Sequence, residues 1–164
     1  MRAEVPSQGW SMSCSEAEIP WGEAVHPGRR KRTGRMADSA LWSHTQTFSA
    51  EAQSAFLARR FVCRHLVEHG LAHLVADVEL VTSELATNAL LHTRRSFTLS
   101  LDHNVRAVVV TVQDCSPSVP VMGVPNVMDT HGRGLFLVDS ISHEWGVVRQ
   151  GNGATSVWAS FRMA

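Results

Sequence analysis

Two polar side chains on a predicted apolar helix face are the first place in this sequence where chemistry could occur. The stretch TSELATNALLH, residues 82–92, has the spacing of a buried helix, yet Glu84 and Asn88 stand where leucines would be expected. At 100° per residue, Asp77, Asn88 and His92 all lie within about 80° of Glu84. Because burying an unpaired carboxylate costs several kcal/mol, something must satisfy it. The two side chains could pair with each other in a structural network, but the pattern favours a polar cleft that holds a ligand and a cation.

Two predicted strands carry polar residues at positions that face the core. In VVVTVQD, the row of valines on one face continues with Asp114, and in TSVWASF, Thr155 begins the row that holds Val157 and Phe161. Chance could produce one such residue, but several on separate elements indicate that they converge on one site.

The stretch HGRGLFLVD could bind an anion through its backbone. Gly132 and Gly134 would let backbone amides approach a ligand closely, and the helix that follows favours negative charge at its start. Alone, this pattern is as well explained by an ordinary turn from a loop into a helix. Its position after the long loop 116–131 adds weight, because loops of that length are usually functional lids or disordered segments.

The surrounding sequence predicts the elements that position these residues. Ser49 is the expected N-cap of a first helix, and Gly70 is its expected stop. The predicted elements are a strand at 41–49, helices at 50–70 and 74–92, two strands with a turn near 103–104, a short helix at 132–142, and a hairpin around the GNG turn. This order predicts an α+β fold, a two-layer sandwich of a mixed, mostly antiparallel sheet with helices on one face.

Length and composition indicate one soluble globular domain. The chain has 164 residues, of which 44% are apolar and 18% charged. We expect a disordered leader at 1–40 and a folded domain at 41–164. The leader contains the run HPGRRKRTGR, which could instead be a polyanion-binding arm, and Met36 could be the true first residue.

Charge, hydropathy and cysteine usage limit the partners and the cellular location that can be expected. From Met36 onward there are 9 basic and 11 acidic residues, so nucleic acid is not expected as a direct partner. No apolar run is long enough to span a membrane, and the N-terminus lacks a secretory pattern, so a cytoplasmic location is expected. The three widely spaced cysteines argue against a disulfide framework and fit a reducing compartment.

A histidine series is the alternative candidate for a metal site. His65, His69 and His73 recur every four residues, a spacing at which histidines can bind Zn²⁺. Because Gly70 is expected to end the helix within this series, the pattern favours solvated surface histidines over a zinc site.

Taken together, the motifs resemble those of a known family. The stretches SELATNALLH, VQDCSPSVP, HGRGLFLVD and GNGATSVWA resemble, in order, the N, G1, G2 and terminal Gly-Thr motifs of the Bergerat ATP-binding fold. More narrowly, they are similar to bacterial ATP-binding regulators related to anti-sigma-factor serine/threonine kinases, of the type abundant in actinomycetes. The resemblance covers about residues 45–163 and implies ATP and Mg²⁺ as cofactors.

The resemblance also implies a role for each matching residue. Asn88 would hold Mg²⁺ against the ATP phosphates, and Glu84 would act as the base. Asp114 would accept a hydrogen bond from the adenine amino group, supported by Thr155. The remaining nucleotide-binding residues that it implies are His92, Gly132, Arg133, Gly134 and Leu135, with the loop 116–131 as a lid.

Two functions follow from the resemblance. The chain would be a protein serine kinase that phosphorylates an antagonist and sequesters a sigma factor, and the resemblance allows a homodimer. Alternatively, it would be a catalytically silent nucleotide-binding module that controls a partner by docking. Where the family has Asp-x-Gly-x-Gly, this chain has Asp114 followed by Cys-Ser-Pro-Ser, which reduces backbone freedom beside the adenine.

Overall fold

The computed structural model describes residues 40–115, 133–150 and 153–163. The order of elements agrees with the predicted order. The elements are β1 (Trp42–Phe48), α1 (Ser54–Glu68), a 3₁₀ turn (Ala72–Leu74), α2 (Val75–Thr93), β2 (Phe97–His103), β3 (Ala107–Asp114), α3 (Arg133–Ile141), β4 (Glu144–Arg149) and β5 (Thr155–Arg162). The predicted leader 1–40 lies outside the described residues except for its last position, as do the predicted lid 116–131 and Gly132.

The described strands form one five-stranded sheet in the order β1-β2-β3-β5-β4. Every pairing among them is antiparallel, so the α+β fold is confirmed, with a sheet that is antiparallel throughout the described residues. Tight connections explain most of this arrangement, because β2 and β3, and then β4 and β5, follow each other as hairpins. The remaining contact, between β3 and β5, places the strand that ends in Asp114 beside the strand that begins with Thr155.

The core lies between one face of this sheet and the helices. Along β2, the buried residues Phe97, Leu99 and Leu101 alternate with half-buried polar ones. They share one cluster with the buried face of α2, which includes Val81 and Leu85. The two-layer arrangement follows from this alternation, because the apolar row of each strand must be buried and the apolar faces of the helices pack against it.

Helix α1 begins later than the sequence predicts. The expected N-cap was Ser49, but the helix begins at Ser54 with Gln53 at the N-cap position. The amide of Ser54 donates to the carbonyl of Glu51 at 2.9 Å, closing a turn before the helix. Phe48 explains the shift: it is the last residue of β1 and is buried against Phe97, so the chain needs a short connection to pass from the sheet to the helix layer.

Helix α1 ends just before Gly70, as the sequence predicts. This glycine has a φ of 74°, which residues with a side chain rarely adopt. Its amide donates to Val67 at 3.0 Å, and the amide of Leu71 donates to Leu66 at 2.7 Å. These two bonds form a Schellman motif, and the buried side chains of Leu66 and Leu71 provide the hydrophobic contact that accompanies it.

The described residues contain neither a membrane-spanning helix nor a cluster of metal-binding side chains. None of the helices in residues 40–115, 133–150 and 153–163 combines the length and the apolar character needed to cross a bilayer. Within the same ranges, no group of three or more His, Cys, Asp and Glu side chains is arranged to hold a metal ion. The predicted Mg²⁺ site is of a different kind, because a single amide and nucleotide phosphates would hold the ion.

Candidate functional site

Glu84 and Asn88 lie on the border of the buried stripe of α2. The buried positions of this helix are centred on Val78, Val81 and Leu85, whereas Glu84 and Asn88 are half-buried. The polar pair was predicted at leucine positions of the apolar face, but the buried face is rotated from that prediction by roughly one residue around the helix. A border position explains how the helix keeps a continuous apolar contact with the sheet while presenting two polar groups beside it.

Two other polar residues predicted on this face are exposed. Asp77 lies in the first turn of α2 and His92 in the last, and both side chains face solvent. Asp77 therefore does not belong to a buried polar cleft. His92 lies one turn beyond Asn88, near the helix end, where it remains a candidate for contact with a ligand.

The first turn of α3 lies directly against Glu84 and Asn88. A Cβ atom placed on Gly134 would come within 2.6 Å of the Glu84 carboxylate oxygen Oε2 and 3.5 Å of the Asn88 amide nitrogen Nδ2. The absence of a side chain at position 134 is thus what allows this close approach. Leu135, which follows, is buried in the core and fixes the start of α3 in place.

This contact gives the site its electrostatic character. The N-terminus of a helix carries a partial positive charge and unpaired N–H groups, which favour anions. Arg133 is the first residue of α3, so the backbone of this turn meets α2 where Glu84 and Asn88 project. The arrangement brings together a helix start that favours negative charge, a carboxylate and an amide.

The structural-network alternative is not realised in the described residues. Across 40–115, 133–150 and 153–163, no hydrogen bond or ion pair joins Glu84 to Asn88, or either of them to another side chain. A half-buried carboxylate and amide without such partners have hydrogen-bonding capacity left for a ligand.

On the sheet, Asp114 and Thr155 lie directly opposite each other. They are paired across β3 and β5, and Thr155 is itself paired with Arg149 of β4. Asp114 continues the helix-facing row that includes Val112, and Thr155 is buried. The predicted pairing of a carboxylate and a hydroxyl is therefore present as neighbours on one face.

Arg149 was missed by the sequence analysis. It lies on β4, on the same face of the sheet as Asp114 of β3 and Thr155 of β5. The hairpin register around the GNG turn could have placed it opposite Thr155, since antiparallel pairing fixes the partners on both sides of a turn. Arg149 adds a positive charge at the end of the row.

The chain path places the two halves of the site at the same end of the molecule. Helix α2 ends at Thr93 and β2 begins at Phe97, so the end of α2 lies at the start of β2. That start pairs with the end of β3, where Asp114 lies opposite Thr155. Asn88 is about 8 Å from the end of α2 at 1.5 Å per residue. Both polar groups thus belong to the same helix–sheet interface, towards the same end.

A groove on the other flank of α2 does not coincide with this site. It has a volume of about 230 Å³ and is lined by residues of α1 and α2, including Arg59, Glu79 and Ser83. Arg59 donates to the Ser83 hydroxyl at 3.0 Å, and its Nε lies 3.8 Å from Glu79. The charges in this groove are therefore already paired, and the groove contains none of the predicted site residues.

Comparisons with known proteins identify the family of this chain and a similar fold. The family model described as a histidine kinase-like ATPase domain matches residues 48–161, a range that includes every predicted site residue. A solved structure of the RsbU and RsbW domains of Rv1364c from Mycobacterium tuberculosis has a similar fold, with a TM-score of 0.56 and 22% identity. The similarity covers 74% of this chain and 32% of that chain, so this chain corresponds to about a third of it. No curated protein sequence matches the chain.

Proposed function

Because the chain belongs to the histidine kinase-like ATPase domain family and is thus an ATP-binding domain, we propose that it is a Mg²⁺-dependent serine/threonine protein kinase that regulates a protein partner. The observation that supports this best is the contact between the first turn of α3 and the pair Glu84 and Asn88. It combines the groups that phosphoryl transfer needs: a phosphate-binding helix start, a ligand for a hard cation and a carboxylate base.

Asn88 is the proposed Mg²⁺ ligand. Mg²⁺ prefers oxygen ligands and usually binds through one or two protein groups together with substrate phosphates and water. The half-buried amide of Asn88 lies beside the start of α3, where phosphates would be favoured. When bound there, Mg²⁺ would neutralise phosphate charge, and the side chain of Asn88 would orient the ion.

Glu84 is the proposed base. Its carboxylate would accept the proton of a serine or threonine hydroxyl while the hydroxyl oxygen forms a bond to the γ-phosphorus. The bond between that phosphorus and the β–γ bridging oxygen would break, leaving ADP and a phosphorylated protein. Support comes from the position of Oε2 against the first turn of α3, on the border between core and solvent, where a partner's hydroxyl could reach it.

Asp114 and Thr155 are proposed to recognise adenine. A carboxylate can accept a hydrogen bond from the adenine amino group, and a neighbouring hydroxyl can support the same edge of the ring. Their direct pairing across β3 and β5 keeps the two groups adjacent. Regular strands hold them in place better than a loop would.

Sigma factors and their protein antagonists are the proposed partners. This step rests on the motif resemblance to anti-sigma-factor kinases, in line with the RsbW domain named in the similar solved structure. The kinase would phosphorylate the antagonist and hold the sigma factor in a partner-switching cycle.

Transfer of labelled phosphate tests this function. The full chain is incubated with γ-labelled ATP, Mg²⁺ and each candidate antagonist from the source genome, and phosphoserine or phosphothreonine is identified by mass spectrometry. We expect label on one antagonist and none when Mg²⁺ is chelated.

The alternative function is a docking module that binds nucleotide without phosphotransfer. The sequence Cys-Ser-Pro-Ser after Asp114 favours it, because the glycines that give backbone freedom at this point in the family are missing. This alternative predicts nucleotide-dependent capture of a partner with no label transferred to any candidate.

Replacing Asp114 with asparagine should reduce the preference for ATP over GTP about tenfold or more. An asparagine can present a donor where the adenine amino group needs an acceptor, and a mismatched hydrogen bond costs about 1–3 kcal/mol. Calorimetric titration of both nucleotides measures the ratio. The neighbouring exchange Gln113→Glu on the opposite face of β3 is the control, and an equal loss of affinity for both nucleotides would refute the adenine assignment.

Replacing Gly134 with alanine should impair phosphotransfer more than it impairs folding. The new methyl group would lie 2.6 Å from Glu84 Oε2, so the carboxylate must move, which a flexible side chain does easily. We expect the unfolding midpoint to change little and the transfer rate to fall at least tenfold, since small misplacements of a reacting group reduce rates strongly. The variant Leu137→Ala, which truncates another side chain of α3, is the control for helix packing. A wild-type rate of phosphate transfer in the Gly134→Ala variant would contradict the proposed position of Glu84.

A further inference from the structure

Four histidines lie together where the C-terminal end of α1 meets the sheet. His44 of β1 and His103 of β2 are on the sheet, while His65 and His69 come from the end of α1. With Trp42 they form what we call the histidine cluster. His65 was predicted to be a solvated surface residue but is half-buried and stacked on His44, whereas His69 is exposed, as predicted, and stacks on Trp42.

The contacts within the cluster are short. The rings of His44 and His65 are stacked with centroids 3.8 Å apart, and those of Trp42 and His69 with centroids 4.1 Å apart. The Nε2 atoms of His44 and His69 are 2.9 Å from each other. Such a contact requires one nitrogen to donate and the other to accept, so at most one proton can lie between these two rings.

Burial favours the neutral form of two cluster members. Only 12% of the His65 side chain is exposed. Burial lowers the pKa of His65, and the nearby His44 and Arg64 lower it further. Burial also lowers the pKa of His103, with a further contribution from His69. Among the described residues, His103 Nδ1 is buried without a hydrogen-bond partner.

Two carboxyl groups near the cluster act on this preference or on the folded state at lower pH. On α1, Glu68 Oε2 lies 3.1 Å from His65 Nδ1 and favours protonation, but Glu68 is more than half exposed, which weakens the effect. Asp102 of β2 pairs with Ser43 and lies on the opposite face of the sheet from the cluster. Burial raises the pKa of Asp102, and its carboxylate accepts a hydrogen bond from the Ser43 hydroxyl at 2.5 Å. A raised carboxyl pKa favours the folded form as pH falls towards 4, below the range in which histidines titrate.

We propose that the histidine cluster is a proton-operated latch, which holds the C-terminal end of α1 on β1 and β2 at neutral pH and releases it when the imidazoles become protonated. The proposal depends on the cluster alone and not on the proposed kinase function. Release of α1 would affect α2 directly, because α1 packs along α2, the helix that carries Glu84 and Asn88.

The sign of the pH dependence follows from the two lowered pKa values. In the released or unfolded chain, histidine titrates near 6.5. The latched form binds fewer protons between that value and the lower values in the folded protein. Stability from these groups is therefore fully present above 6.5 and is lost as pH falls through the folded pKa values. Each histidine can change the opening equilibrium by up to tenfold per pH unit.

Urea unfolding of the full chain between pH 7.5 and 5.5 tests the latch. We expect the unfolding constant of the wild type to rise steeply below pH 6.5, by up to about 100-fold per pH unit for two histidines. The double variant His65→Phe/His103→Phe keeps aromatic rings and should lose most of this slope. The matched control His73→Gln/His92→Gln removes two exposed histidines outside the cluster and should keep it.

A second measurement on the wild type does not depend on whether the double variant folds. Imidazole NMR should show His65 and His103 titrating below 6.5, and hydrogen exchange, corrected for intrinsic rates, should show protection lost first at residues 62–69. A wild-type slope equal to that of a folded double variant, or titration of both histidines at 6.5 or above, would overturn the proposal.

Discussion

Replacing Asn88 with alanine should lower the affinity for Mg-ATP by about 10–100-fold while leaving the fold intact. The amide is half-buried on the border of α2 and makes no side-chain hydrogen bond within the described residues, so its loss leaves no core partner unsatisfied. The bound ion, in contrast, would lose a protein ligand, and changes around metal sites typically reduce affinity by this amount. Calorimetric titration of Mg-ATP measures the loss, and circular dichroism checks the fold.

The matched control for Asn88 is Thr87→Ala. Thr87 is the adjacent residue of α2 but is exposed, so its truncation changes the helix surface and not the site. A second control titrates ATP without Mg²⁺, where wild type and Asn88→Ala should bind equally weakly. Wild-type Mg-ATP affinity in Asn88→Ala would show that this residue does not bind the ion.

Replacing Glu84 with glutamine should reduce phosphotransfer by about 10²–10⁴-fold and leave ATP binding within a few-fold of wild type. The exchange keeps the shape of the side chain, including its contact with the first turn of α3, but removes the base. Loss of rate without loss of binding is the signature of a group that acts in the transition state.

Asp77→Asn is the control for Glu84→Gln. Asp77 lies on the same helix and loses the same charge, but its side chain is exposed in the first turn of α2, two turns before Glu84. It should transfer phosphate at the wild-type rate. If Glu84→Gln also transfers at that rate, Glu84 is not the base; if neither variant nor wild type labels any partner while all bind ATP, the docking function is favoured.

Period and turn chemistry were enough to predict the fold. The alternation in β2 and β3, the stop at Gly70 and the GNG hairpin each depend on local physics, namely side-chain period and allowed backbone angles. Together they restricted the order of strands and helices to an α+β sandwich. The start of α1 was misplaced because Ser49 is a plausible N-cap by type, whereas the burial of Phe48 against Phe97, a contact distant in sequence, decides where the strand ends.

The site could be predicted in its residue types but only in part of its geometry. Glu84 and Asn88 were found because they break an apolar period, and Asp114 with Thr155 because they continue core rows. The border position of the helix pair depends on how α2 rotates against the sheet, which its own period does not determine. Arg149 and the histidine cluster were missed for the same reason: pairing across strands and layers creates them.

The most direct test of the central claim is a crystal structure of the full chain with Mg²⁺ and a non-hydrolysable ATP analogue. We expect adenine against Asp114 and Thr155, phosphates at the first turn of α3, and Mg²⁺ bound by the Asn88 amide oxygen with Glu84 facing the γ-phosphate. A nucleotide bound elsewhere, for example in the groove beside Arg59, or a metal ion away from Asn88, would contradict it.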